Sequence, residues 1–144
     1  MMRALTYRCP SMGQAKLSTL TNNPEPFSPD GQWVLGQSSE MRNYFIAAAM
    51  RSIGVGAAGG VGEVIADYIT NGRSSFDMYN LDVQRFLPMH NNRRFLRDRV
   101  KEVPGLLYSI PYPFAEYKTG RALRTSPIFT RLKDYGARFN QVSP

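Results

Sequence analysis

The sequence predicts an α/β chain whose second part is small, basic and mostly helical or irregular, and three observations carry that prediction. The continuous apolar run "NYFIAAA" (43–49) reads as a strand buried on both faces. Val61, Val64, Ile65, Tyr68 and Ile69 follow helical spacing, with Glu63, Asp67 and Thr70 on the opposite side. The charge is divided: residues 1–84 carry six Lys/Arg against seven acids and residues 85–144 carry twelve against four, so the net +7 lies wholly in the second part. A boundary near residue 84 follows from that division.

Each element can be justified in order. Residues 1–24 contain no acid and only Arg3, Arg8 and Lys16, a bias common to organelle-targeting segments and to starts within a longer gene, although no Arg/Ser-rich amphipathic helix is evident. "NNPEPFSPDGQ" (22–32) is turn material, and Asp30-Gly31 leads into a short strand, "WVLG" (33–36). After the strand at 43–49 comes the glycine-rich loop "GVGAAGGVG" (54–62), then a helix that starts at Val61, packs one face on a sheet and stops at Asn71-Gly72. A second helix is expected from Asn92 to Val103, with Phe95, Leu96, Val100 and Val103 apolar and Pro104 ending it. A third begins with Ser126 as N-cap and Pro127 in the first turn, uses Ile128, Phe129, Leu132 and Tyr135, and ends at Gly136. Between these two, "GLLYSIPYPFAEY" (105–117) reads as irregular.

Composition removes several classes of function. Cys9 is the only cysteine and His90 the only histidine, so neither an intrachain disulfide nor a cysteine-based zinc site can form. The most apolar region, 44–69, is broken by Arg51, Glu63 and Asp67 and gives no membrane span, so a soluble protein is expected. The basic part lacks an RNA-binding aromatic signature, a zinc finger and a helix-turn-helix, which argues against a nucleic-acid partner and for a solvated face or a surface that docks on a larger or acidic protein. No catalytic residue emerges. Ser52 has no histidine partner suggested by spacing. His90 reads as a surface or hydrogen-bonded structural histidine, Asp77 and Asp82 as turn caps or partners of Arg73 and Arg85, and Trp33 with the aromatics of 108–117 as core.

Gly54, Gly56 and Gly59 match the G-x-G-x-x-G spacing of a dinucleotide loop, but the context does not fit. That fingerprint turns straight off its strand and is followed roughly 20 residues on by an acid at the end of a second strand. Here Met50, Arg51, Ser52 and Ile53 intervene, and "GRSSFDMYNLDVQRF" shows no strand alternation. The small residues read instead as a place where a helix approaches a sheet closely and leaves backbone open.

The stretch from "NNPEPFSPDGQWVLG" through "MRNYFIAAAMRSIGVGAAGGVGEVIADYITNG" to "DVQRF" resembles the C-terminal end of the FAD domain in dimethylglycine and sarcosine dehydrogenases, flavoproteins of the D-amino-acid-oxidase type. "HNNRRFLRDRVKEV" and "YKTGRALRTSPIFTRLKDYGARF" resemble the central linker domain that follows it in that family. Within the family the likeness extends most of all, at "TGRALRTSP", to the regulatory subunit of pyruvate dehydrogenase phosphatase.

The resemblance implies a C-terminal fragment of a FAD-binding domain at 1–84 and a truncated central domain at 85–144. Its partners would be the remainder of a flavoprotein: an N-terminal FAD-binding part, a C-terminal folate-binding aminomethyltransferase-like region and, for the phosphatase-type member, the phosphatase catalytic subunit. It implies a mitochondrial matrix location. It also implies FAD as cofactor, not held stably by this chain alone, and places the glycine segment beside the isoalloxazine ring with Arg51, Ser52, Ile53, Gly54 and Val55 as cofactor-binding residues. Backbone N–H groups there and the positive end of a helix dipole would stabilise the edge of the ring that turns negative on reduction. Where the family reads Gly-Met-Asn-Ser-x-Gly-Ile, this chain has Ala49-Met50-Arg51-Ser52-Ile53-Gly54-Val55. The arginine either pairs with the reduced ring, binds an acidic substrate group or points to solvent.

Overall fold

A computed structural model describes residues 2–110, 112–113 and 115–140. Strand β1 (Val34–Gln37) pairs antiparallel with β2 (Phe45–Ala48), in the register Val34 to Ala48 and Gln37 to Phe45. On its other side Leu35 makes a parallel bridge to Asp82, with the Leu35 N–H donating to the Leu81 carbonyl at 2.8 Å. Leu35 is therefore central and only 1% exposed. Helix α2 (Gly54–Asn71) lies over β1: Val64 is buried with Leu35 and Met78, and Val61, Ile65, Tyr68, Trp33, Met50 and Leu81 pack round them. Four of the five expected apolar positions of α2 serve this core; Ile69 stays exposed.

Helix α1 (Met2–Arg8) and the 3-10 turn Pro10–Gln14 form the N-terminal part, ahead of residues 15–28, which join no helix or strand. Helix α3 (Arg93–Tyr108) starts where expected and is capped by Asn92, whose side chain accepts from the N–H groups of Arg94 and Phe95 at 3.0 and 3.1 Å. Val103 on α3 is buried and packs on the turn before β1, where a Cβ at Gly31 (φ +73°) would come within 3.1 Å of its Cγ1. Only glycine permits both that backbone conformation and that approach. Helix α4 is the short Phe129–Asp134.

Several expectations need correction. The glycine run 54–62 is not a loop: α2 starts at Gly54 and takes all of it in, because the amphipathic turns from Val61 onward nucleate a helix that propagates back despite glycine's cost of about 1 kcal/mol per residue relative to alanine. The strand at 43–49 is shorter and is not covered on both faces; β2 has a single neighbour, and Ala47 and Ala48 are exposed. Pro104 does not end α3, which continues to Tyr108, since a proline removes one hydrogen bond and the packed turn around Val103 holds the helix across that gap. Ser126 is not an N-cap: its carbonyl accepts from Phe129, and α4 begins only there. Among the aromatics of 108–117, Tyr108 and Tyr112 are exposed, Tyr117 is half-buried, and Phe114 lies outside the described residues; Trp33 packs on the core.

The accessible surface is 12045 Å², whereas a compact monomer of 16.3 kDa exposes about 7,500 Å². The excess includes bare apolar side chains beside β2, on α2 and at the end of α3, such as Tyr44, Val55, Tyr108 and Ile110. Among the described residues no helix is long and apolar enough to cross a membrane, and no group of three or more acid, histidine and cysteine side chains is placed to hold a metal ion.

Candidate functional site

The segment from Ala49 to Val55 is the most unusual stretch of backbone in the chain. Ala49, Arg51 and Ser52 all adopt the left-handed region, with φ of 60°, 48° and 63°. For side-chain-bearing residues each such conformation costs on the order of 1–3 kcal/mol and persists only where surrounding contacts enforce it. The enforcing contacts are visible: Ala49 is buried, Met50 packs against the Leu35 core, and the Ile53 N–H donates to the Met50 carbonyl at 2.9 Å to close the turn. A Cβ at Gly54 would sit 3.3 Å from Met50 Cβ, which explains a glycine where the turn meets the helix.

The outcome is an uncapped helix start. Ile53, the N-cap residue, offers no side-chain acceptor, and the first turn contains no acid. Ser52, Ile53 and Val55 are exposed, Val55 almost fully at 96%. Of the sequence-derived donors, Ile53 N–H is committed to the turn, whereas those of Ser52, Gly54 and Val55 have no hydrogen-bond partner among the described residues. Two conditions for stabilising a negative edge are thus met: unpaired amides and the positive end of an 18-residue helix. The donor set fits a flavin's pyrimidine edge. Beyond it, Gly56, Gly59, Gly60 and Gly62 line helix surface where an added Cβ would meet nothing within 4 Å.

Arg51 is half-buried, its Nε is buried without a partner, and its charge acts on the Tyr117 hydroxyl. Tyr117 belongs to a second cluster that the sequence did not disclose. Arg85 meets Asp30 through two bonds, Nε to Oδ2 at 2.6 Å and Nη2 to Oδ1 at 3.0 Å, and also donates to the carbonyls of Leu81 and Asp82 at 3.0 Å. Asp82 does not pair its carboxylate with Arg85; it caps the 3-10 turn Val83–Arg85 by accepting from Gln84 N–H and takes the Tyr68 hydroxyl at 2.8 Å. Burial, the Asp82 bond and the Asp82 charge push the Tyr68 phenol up to about 12. Asp77 caps a turn at Tyr79, as expected. His90 is structural, as expected: Nδ1 accepts from Leu87 N–H at 2.8 Å, and the ring packs between Phe86 and Phe95.

Two carboxylates in this second cluster make stability acid-sensitive. Burial alone would raise the Asp30 carboxyl, but bonds from Arg85, Ser28 and the Gln32 N–H outweigh it and hold it below its ordinary value. Glu102 behaves alike: burial raises it, and donors from Thr119 and Lys118 with the Arg99 charge bring it lower. A depressed folded pKa contributes stability above the unfolded value that is lost as pH falls through the folded one. The urea midpoint should therefore hold from neutral pH to about pH 5 and fall below about pH 4, with a shallower fall in Asp30→Asn. A midpoint independent of pH across that window would contradict the assignment.

Residues 71–126 match the family model of the FAD dependent oxidoreductase central domain. Over 96% of its length the chain is 38% identical to the mitochondrial regulatory subunit of pyruvate dehydrogenase phosphatase from Mus musculus. It is similar at 38% identity, over 93% of its length, to a formaldehyde-forming 4-methylaminobutanoate oxidase of Paenarthrobacter nicotinovorans, and at 30% over 93% to human mitochondrial sarcosine dehydrogenase. The chain spans only 16%, 16% and 15% of the lengths of these three relatives. It thus resembles members of the FAD-dependent oxidoreductase family over most of its own residues and a small part of theirs.

Proposed function

We propose that this chain supplies the isoalloxazine-side wall of a flavin site in a FAD-dependent oxidoreductase-like protein of the D-amino-acid-oxidase type. In this reading residues 1–84 are the C-terminal part of the FAD domain and residues 85–144 the central domain. The observation that carries it is the left-handed turn at Ala49–Ser52 delivering three unpaired amides, at Ser52, Gly54 and Val55, to the start of α2. A bound flavin would supply the two-electron acceptor for oxidising an amine substrate. The chain's own residues bind and orient: the amides and helix end, worth about 0.3–2 kcal/mol, favour a negative edge, and Arg51 adds a cation near it. They tune a cofactor; they do not perform the reaction alone.

The excess exposed surface supports a partner that covers it, namely the remainder of a longer flavoprotein with an N-terminal FAD-binding part and a folate-binding aminomethyltransferase-like region. FAD is accordingly not retained by residues 1–144 alone. The phosphatase-type relative suggests the phosphatase catalytic subunit as a further partner, and the relatives' names suggest the mitochondrial matrix. An alternative is a non-catalytic interaction module. Arg93, Arg94, Arg97 and Lys101 on α3 are exposed and form no ion pair among the described residues, which favours an acidic partner for that face.

Amide exchange distinguishes the two readings. In a longer flavoprotein carrying this segment, flavin incorporation should slow exchange at Ser52, Gly54 and Val55 by about tenfold or more, the effect of one hydrogen bond to a charged acceptor. Unchanged exchange at all three, with an acidic partner protecting α3 instead, would favour the interaction module.

A further inference from the structure

A cavity of about 270 Å³ opens between the turn before β1 and helix α3, and Asp30, Arg85, His90, Phe95, Arg99 and Tyr117 contribute to its lining. Its charges do not cancel. Asp30 is fully engaged by Arg85, by Ser28 Oγ at 2.8 Å and by Gln32 N–H at 3.0 Å, so Arg85 is neutralised within the cluster. Arg99 is not. Its side chain is 12% exposed, and its Nε and Nη1 are buried without a hydrogen-bond partner. The nearest carboxylate, Glu102, stands 4.0 Å from Nη1, and its oxygens are occupied by Lys118 N–H, Thr119 N–H and the Thr119 hydroxyl.

The guanidinium is instead held between aromatic faces, 4.1 Å from the Tyr117 centroid and 5.4 Å from that of Phe95. A charge kept largely from water normally has a hydrogen-bonded counterion, because desolvation otherwise costs several kcal/mol. Stacking fixes the plane of the group and leaves its Nε and Nη1 donors unsatisfied, which suits an anionic oxygen acceptor. The volume lies at the lower limit for ligand sites, too small for a nucleotide, and the aromatic lining suits a flat or apolar body.

We propose that this cavity binds a small free monocarboxylate, its carboxylate on Arg99 and its body against Phe95 and Tyr117. The proposal does not rest on the flavin reading. Benzoate and its neutral isostere benzamide are the probes, titrated against the full 144-residue chain by ligand-observed NMR, with a blocked acidic tripeptide as a third arm. Benzoate should bind about 10- to 100-fold more tightly than benzamide, the range for a charge-assisted hydrogen bond. Arg99→Gln should abolish that preference, and Arg99→Lys should keep part of it. Far-UV circular dichroism selects variants that retain the fold, and the benzoate-to-benzamide ratio of the unmodified chain decides the matter if neither does. Equal binding of the two probes, no binding of benzoate, an undiminished preference in folded Arg99→Gln, or tighter binding of the peptide would overturn the proposal.

Discussion

Replacing Arg85 with alanine should destabilise the chain by about 2–4 kcal/mol, below the top of the range for one-sided loss of a buried ion pair because Arg85 and Asp30 are 14% and 12% exposed. The loss has three parts. Asp30 keeps its charge in a half-buried turn without its two strongest donors. The carbonyls of Leu81, Asp82 and Gln32 lose a shared donor, and the guanidinium leaves the Phe86 ring, 4.1 Å beneath it. Finally, the turn at Asp30 is what seats Val103 and receives the Tyr117 hydroxyl, so its loosening frees α3 from the turn before β1. Against a total of about 5–15 kcal/mol for ordinary domains, this is a large share. Guanidinium unfolding of Arg85→Ala, Asp30→Ala and the double variant measures it; the double should fall well short of the sum of the singles. Single losses below about 0.5 kcal/mol would show the pair to be incidental.

How much of this was legible in the sequence depends on the range of the signal. The helix of Val61 to Tyr68, the strand at Val34 and the start of α3 near Asn92 were readable because periodicity and local sequence signals act over a few residues. The extents of α2 and α3 were misread because helix propagation from the packed turns after Val61 carried α2 back to Gly54, and packing around Val103 carried α3 past Pro104. The Arg85–Asp30 pair was invisible for another reason: its partners are 55 residues apart, and nearer acids offered themselves. Asp30 had a sufficient explanation as a turn residue, and nothing in the order of residues marks Arg99 as turned inward between two rings. Of the candidate site, the run of small residues beside it was legible, but the helix start at Gly54 was not. The left-handed turn that aims it was not, since alanine, arginine and serine carry no mark of positive φ.

The central claim is that the 49–55 segment faces a flavin, and Arg51 gives it the most direct test. The informative substitution is Arg51→Asn: asparagine tolerates the left-handed conformation that Arg51 adopts at φ 48°, so charge is removed without added backbone strain. A cation near the ring favours its reduced, anionic form, and removing it should lower the reduction potential. At several ångströms and an effective dielectric of about 20, Coulomb's law gives roughly 1–3 kcal/mol, or about 20–65 mV for a two-electron couple, less whatever solvent screens. Redox titration of the flavin in a longer protein that carries this segment is the measurement. The account predicts a drop in potential for Arg51→Asn and little change for Arg51→Lys; the same potential in all three proteins would contradict it.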